Sequence, residues 1–247
     1  MKGIILAGGT GSRLFPLTKV TNKHLLPVGK YPMIFHSVAK LKQAGIKDIL
    51  IITGKEHMGD VVNLLGSGHD LNLTFTYKVQ DEAGGIAQAL GLAEQFVNEE
   101  PMVVILGDNV FEDNLSLFVE NFRSQGSGAK VLIREVLCPH RYGVPNLQGE
   151  KIISIEEKPK IPKTNYAVTG IYMYDRRVFD IIRTLKPSLR NELEITDVNN
   201  VYIASDELTY DILSGWWTDA GTYDSLLQAN EMAKDVHLGE EFGRLKL

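Results

Sequence analysis

The residues best suited to chemistry begin in a glycine-rich turn near the N-terminus. Gly8-Gly9-Thr10-Gly11-Ser12-Arg13-Leu14 follows the apolar run Gly3–Ala7. Glycine lets backbone N–H groups approach an anion, and arginine adds a planar fork of donors. Phosphate approach is the chemistry this combination suits. The two best-known phosphate loops both fail here. A dinucleotide fingerprint counted from Gly9 needs glycine where Leu14 stands, and a Walker loop from Gly8 needs Gly-Lys where Arg13-Leu14 stands. On these residues alone, a tight strand-to-helix turn with no ligand stays open. Lys23 follows, leading into Leu25-Leu26-Pro27-Val28, a segment that anchors the backbone around a cation. A solvated surface lysine is the alternative.

Two carboxylates have the setting of a site. Asp108 stands just past the apolar run Met102–Leu106, where ligand crevices of α/β folds open. Asp219 lies in Gly215-Trp216-Trp217-Thr218-Asp219-Ala220-Gly221, after aromatic bulk and before a glycine turn. Together they could share one Mg²⁺, which prefers oxygen ligands and keeps waters and phosphate oxygens around it. Either aspartate alone could equally be a turn former or a helix N-cap. The six histidines include no pair at close ligand spacing, and the single cysteine, Cys138, makes a structural zinc site untenable. No Ser–His–Asp or Cys–His set is visible.

The elements that must position these residues read as alternating strands and helices. Strand-like runs are Lys2–Ala7, Asp48–Thr53, Leu73–Lys78, Met102–Leu106, Lys130–Val136, Lys151–Glu156 and Val168–Tyr174. The early runs are continuous and β-branched, as for strands buried on both faces. Helical patterns cover Pro32–Ala44, with Gly45 as its C-cap, then Ile86–Val97 and Leu115–Arg123. This alternation predicts an α/β fold: a Rossmann-like, mostly parallel central sheet flanked by helices. From Lys130 the strands crowd together, with turns expected at Tyr142–Asn146 and Gln148-Gly149. That rhythm predicts antiparallel additions on one edge.

Composition closes off other classes. The chain has 247 residues, 44% hydrophobic and 23% charged, which is ordinary for a globular protein. No apolar run approaches the roughly 18 residues of a membrane span, and the apolar N-terminal stretch is too short for a signal peptide. Net charge is −5 without a basic run, a poor match to nucleic acid. One cysteine allows no internal disulfide and fits a reducing, cytoplasmic compartment. No Gly/Ser/Pro linker divides the chain. The expectation is one domain over 1–247, with a nucleotide-binding lobe over about 1–110 and a sugar-binding lobe over about 111–247.

The stretch Leu6 to Thr18, then Lys23 and Leu25-Leu26-Pro27-Val28, resembles the signature of the sugar-1-phosphate nucleotidyltransferases. The likeness continues in order. It runs through Val79-Gln80, Gly84-Gly85-Ile86-Ala87-Gln88-Ala89, Leu106-Gly107-Asp108-Asn109 and Arg141-Tyr142-Gly143-Val144. It goes on through Glu156-Glu157-Lys158-Pro159, Asn165 to Tyr172, Glu192 to Asp197 and Thr218 to Thr222. Any one motif is weak, but the ordered set covers nearly the whole chain. The resemblance implies nucleotide contacts from Leu6, Gly8, Gly9, Gly11, Ser12, Arg13, Lys23, Gln80, Gly85 and Asp108. It implies sugar contacts from Tyr142, Gly143, Glu157, Lys158, Val168 and Glu192. It implies Mg²⁺ held by Asp108 and Asp219, with Arg13, Lys23 and Lys158 as the catalytic cations.

Within the family the motifs look most like the branch that joins dTTP to glucose 1-phosphate, releasing pyrophosphate and making dTDP-glucose for dTDP-rhamnose and other deoxysugars. UTP or another sugar phosphate is the near alternative, and a non-catalytic nucleotide-sugar sensor the distant one. Family likeness also implies a homo-oligomer, a tetramer or dimer. Tyr31 stands where the family usually has lysine, with Lys30 beside it. Many relatives carry further C-terminal helices with a regulatory nucleotide site. Ending at Leu247 leads to the expectation that such a site is incomplete or built differently here.

Overall fold

The computed structural model describes residues 1–243. β1 (Lys2–Ala7) leads into the glycine turn; a small hairpin, β2 (Pro27–Val28) with β3 (Tyr31–Pro32), precedes α1 (Met33–Gln43). Next come β4 (Asp48–Gly54), α2 (Met58–Leu65), β5 (Thr74–Gln80), α3 (Ile86–Gly91), α4 (Glu94–Val97) and β6 (Met102–Leu106). β7 (Asn109–Phe111), α5 (Ser116–Gln125) and β8 (Ala129–Glu135) follow, then the hairpin of β9 (Gly143–Gln148) and β10 (Lys151–Glu157), then β11 (Tyr166–Tyr174). α6 (Val178–Thr184), α7 (Ile195–Ala204), β12 (Leu208–Ile212), β13 (Trp217–Asp219), α8 (Tyr223–Met232) and α9 (Glu240–Gly243) complete the order.

The main sheet runs β10-β9-β11-β6-β1-β4-β5, with β8 and β12 joined through β11. Its β6-β1-β4-β5 block is parallel; β11 pairs antiparallel with β6, β8 and β9. Strand periodicity sends alternate side chains to opposite faces. Ile5 and Ala7 of β1 join a core with Ile34, Val38 and Leu41 of α1 and Phe118 and Phe122 of α5. Ile4 and Leu6 join the other, with Ala87 and Leu90 of α3, Phe179 of α6 and Tyr202 of α7. Burial on both faces is why β1, β4 and β6 read as unbroken apolar runs. The sheet crosses residue 110 without interruption, since β6 pairs β1 on one side and β11 on the other. Among the described residues no helix is long and apolar enough to cross a membrane.

Two sequence expectations are corrected. Residues 142–146, expected as a turn, mostly form strand β9, despite Pro145. β9 pairs β11 only at Gly143, so beyond that point no ladder bond on that side needs an N–H from Pro145, whose carbonyl accepts from Thr164 Oγ1 at 2.9 Å. The antiparallel additions expected from Lys130 onward are present in β8 to β11, and one further strand, β12, joins them parallel to β8. The helix expected over Ile86–Val97 breaks into α3 and α4 after Gly91, where the Leu92 and Ala93 N–H groups reach back three residues instead of four. Glycine at the break has the least to lose from leaving helical geometry.

Candidate active site

A cleft of about 380 Å³ opens beyond the C-terminal ends of β1, β5 and β6. Parallel strands end there together, and the loops that leave them splay apart. From β1 come Leu6, Gly8 and Gly9, and the turn then delivers the exposed Arg13. Among the described residues no carboxylate pairs with this guanidinium. Its Nη2 passes 3.0 Å from the point where a side chain on Gly221 would begin, so a Cβ there would crowd the guanidinium on its present path. Gly11 and Ser12 stand outside the residues that line the cleft. Gly11 has φ +62° and Ser12 opens a short 3-10 turn; they carry the chain from β1 to Arg13.

The floor is ionic. Lys23 Nζ donates to Asp108 Oδ2 at 2.6 Å, and Asn109 Nδ2 donates to Asp108 Oδ1 at 3.0 Å. Burial pushes the Asp108 carboxyl up. The Lys23 ammonium and these hydrogen bonds outweigh it and hold the group well below the usual carboxylate range. Beneath them His24 is fully buried, its Nδ1–H donating to Asn22 Oδ1 at 2.7 Å; burial and the Lys23 charge lower it to about 3. Asp219 arrives from across the chain because β13 pairs antiparallel with β7, setting it opposite Asn109. Burial, then the nearby Asp108 charge, raise the Asp219 carboxyl above its ordinary value. The Tyr142 hydroxyl, donating at 2.9 Å, and Arg141 at 3.7 Å offset part of that rise. Two carboxylates that strain against each other in a buried cleft form a donor set suited to a hard divalent cation. The chemistry of these two donors fits a divalent cation such as Mg²⁺. Among the described residues no group of three or more His, Cys, Asp or Glu forms a complete protein cage.

The opposite wall is a charge cluster. Glu157 Oε2 accepts from Thr196 Oγ1 at 2.6 Å, while its Oε1 lies 3.2 Å from Lys158 Nζ and 3.5 Å from Arg190 Nη2. Arg190 also reaches Glu192 at 3.4 Å and Glu194 at 2.7 Å. Lys158 has φ +48°, a left-handed conformation that non-glycine residues adopt only when their surroundings impose it. Gly85, at φ +101°, lies against the next segment: a Cβ there would stand 2.5 Å from the Leu193 carbonyl oxygen. A side chain is excluded at Gly85 by this packing and disfavoured by its positive φ.

The profile of the nucleotidyl transferase family matches residues 2–236. The chain belongs to the nucleotidyl transferase family. A glucose-1-phosphate thymidylyltransferase of Neisseria meningitidis is 42% identical over 240 residues, 96% of this chain and 83% of that protein. One from Mycolicibacterium smegmatis is 40% identical over 96% of this chain and 84% of its own length. A crystal structure from Bacillus anthracis, assigned as a glucose-1-phosphate thymidylyltransferase and holding sucrose, is 65% identical. It superposes with a TM-score of 0.95 over 98% of this chain and 99% of that one. A UDP-glucose pyrophosphorylase bound to UDP-glucose is 25% identical, with a TM-score of 0.82 over 93% of this chain and 97% of that one.

In this nucleotidyltransferase the cleft gathers most residues singled out from sequence. Leu6, Gly8, Gly9, Arg13, Lys23, Gln80, Gly85 and Asp108 line it, as do Tyr142, Gly143, Glu157, Lys158, Val168, Glu192 and Asp219. Tyr142 also has a positioning part within the cleft: its hydroxyl donates to Asp219, and its ring meets Trp217 edge-on at 5.2 Å. Tyr31 stays off the cleft, its ring edge-on to His36 at 6.3 Å. Sequence reasoning missed Asn109 and Arg190. Asn109 Oδ1 accepts from Gly170 N–H at 2.8 Å and Trp217 Nε1–H at 2.7 Å, so one amide ties β7, β11 and β13 together. A polar residue directly after a candidate ligand was the available signal. Arg190 had none: it lies in a loop two residues ahead of the Glu192–Asp197 motif and belongs to no motif itself.

Proposed function

We propose that the chain condenses dTTP with α-D-glucose 1-phosphate, giving dTDP-glucose and pyrophosphate. The observation that carries this reading is a single cleft with an unpaired Arg13 on one wall, Lys158 and Arg190 on the other, and Asp108, Lys23 and Asp219 between. Two polyanions can be drawn together there against their repulsion. The names of the relatives described above supply the particular substrates. Asp108 and Asp219 would hold Mg²⁺, which when bound supplies positive charge to the α-phosphate.

The remaining chemistry belongs to the chain. A phosphate oxygen of glucose 1-phosphate is ionised at neutral pH, so no general base is needed. It attacks the α-phosphorus, the bond to the β-phosphate oxygen breaks, and pyrophosphate leaves with the electron pair. Arg13 takes charge on the departing pyrophosphate, and Lys23 steadies the triphosphate. Lys158 and Arg190 orient the attacking phosphate, while Glu157 accepts hydrogen bonds from sugar hydroxyls. Positioning and fixed charge account for the rate. Relatedness to a UDP-glucose pyrophosphorylase favours UTP as a second nucleotide. A thymine methyl is worth only ~1–3 kcal/mol in a pocket. Pyrophosphate release with dTTP, UTP, dCTP and ATP against several sugar phosphates tests the reading. Turnover is expected with dTTP and glucose 1-phosphate; no turnover with any pair would overturn it.

A further inference from the structure

The base end of the cleft holds a contact that the transfer chemistry does not need. Gln80 ends β5, is buried, and lies over Gly8: its Oε1 is 2.6 Å from where a Cβ at that glycine would be. A side-chain amide offers donors at one end and an acceptor at the other, with nearly equal shape. Which end faces the ligand therefore decides which base edge it can read. Two backbone groups of fixed polarity settle the matter here. The Gly85 carbonyl can only accept, and it takes a hydrogen bond from Gln80 Nε2 at 3.3 Å. The Gly84 N–H can only donate, and it donates to Gln88 Oε1 at 3.3 Å. The same Gln88 oxygen accepts from Gln80 Nε2 at 2.7 Å. Both Gln80 amide hydrogens are thereby occupied. Its oxygen is left over Gly8, on the cleft side, where no described residue donates to it. Flipping Gln80 would press its oxygen against two acceptors, Gly85 O and Gln88 Oε1.

We propose that Gln88, which does not line the cleft, is a positioning residue that sets base selectivity. By holding Gln80 with its oxygen toward the ligand, Gln88 makes the site demand a ring N–H donor. Thymine and uracil have one at N3; cytosine has a lone pair there. Cytosine is then rejected because two acceptors meet where the bound base displaces water, a mismatch costlier than a merely absent bond. This inference rests on the pyrimidine triphosphate reading above.

The test compares kcat/KM for dTTP, UTP and dCTP, with glucose 1-phosphate saturating, in the wild type, Gln88→Met and Gln88→Glu. Met keeps the length of the side chain and removes the acceptor; Glu keeps an acceptor facing Gln80 Nε2. The dTTP-to-dCTP ratio is expected to fall at least about tenfold in Gln88→Met, chiefly through KM. The dTTP-to-UTP ratio should hold, because both bases carry N3–H. Gln88→Glu should recover most of the lost discrimination. If Gln88→Met does not fold, Gln88→Ala at this half-exposed position gives the same comparison. An unchanged dTTP-to-dCTP ratio, or equal losses in Met and Glu, overturns the inference while leaving the proposed function standing. A wild type that turns over no pyrimidine triphosphate overturns the proposed function and this inference with it.

Discussion

At the scale of single residues, the cleft sets buried, paired charges such as Lys23 and Asp108 beside an exposed cation, Arg13. Replacing Arg13 with alanine takes away a guanidinium that is exposed and structurally unpaired. The expected result is a loss of turnover by about two orders of magnitude or more with an unchanged unfolding midpoint. Near-normal turnover would show that Arg13 does not bear charge in the transition state. The pair Asp108→Asn and Asp219→Asn together should abolish the response of the rate to Mg²⁺; a double variant with normal Mg²⁺ dependence would place the metal elsewhere. Tyr142→Phe is a subtler change. It removes the hydroxyl that donates to Asp219 and keeps the ring against Trp217. Loss of an outer hydrogen bond to a ligating carboxylate should raise the Mg²⁺ concentration for half-maximal rate by about tenfold. An unmoved Mg²⁺ curve would reduce Tyr142 to packing.

At the scale of elements, the cleft depends on how closely loops can approach. The segment Glu192–Leu193 is seated on Gly85: Leu193 N–H donates to the Gly84 carbonyl at 2.8 Å, and Ala87 N–H donates to Leu193 O at 3.2 Å. Gly85→Ala would place a Cβ 2.5 Å from Leu193 O at a backbone angle that L-residues avoid. It should cost about 2 kcal/mol in urea unfolding. It should also raise the KM for the sugar phosphate, because the Arg190–Glu194 wall moves with that segment. Wild-type stability and KM would mean that the two segments tolerate separation. On the other flank, α8 is started by a capping box in which Thr222 and Ser225 satisfy each other's backbone N–H groups. Placed three residues after Asp219, that cap sets where β13 ends and the helix begins.

At the scale of the molecule, a single sheet carries both walls of the cleft, so cleft integrity and global stability titrate together. His24 is lowered to about 3 by burial first and Lys23 second, and burial lowers His36 as well. In the unfolded chain both imidazoles protonate near 6.5; in the folded protein His24 stays neutral until about pH 3, and His36 protonates below its ordinary range. Their stabilising contribution is therefore complete above pH 6.5 and is lost as pH falls, for His24 through to about 3. For His24 the loss approaches about 1.4 kcal/mol per pH unit. Asp108, held low in the fold, adds to the loss as pH drops into the carboxylate range; Asp219, held high, works against it there. Urea midpoints measured from pH 7.5 to pH 4.5 should fall steadily. A flat profile across that window would mean that the two imidazoles are open to protonation in the folded state.

The sequence by itself determined the strands of the parallel block, the order of motifs and the chemical kind of nearly every cleft residue. Those properties are local: apolar runs mark strands buried on both faces, and glycine, lysine and aspartate declare their chemistry wherever they stand. The ends of the elements were legible for the same reason, with β1 and β6 bounded as their apolar runs suggest. What only the tertiary structure decided is which of these groups meet. The Lys23–Asp108 pair spans 85 positions and the Asn109–Trp217 bond 108, and no periodicity encodes such separations. β9 was hidden by a proline tolerated where no ladder bond to β11 needs its N–H, and β12 by a parallel pairing that its length does not announce. Arg190 and Gln88 were silent because each acts through neighbours brought by other elements: Glu157 and Glu194 for one, Gln80 and the Gly84 N–H for the other. Their roles arise from contact, and contact is a property of the folded chain.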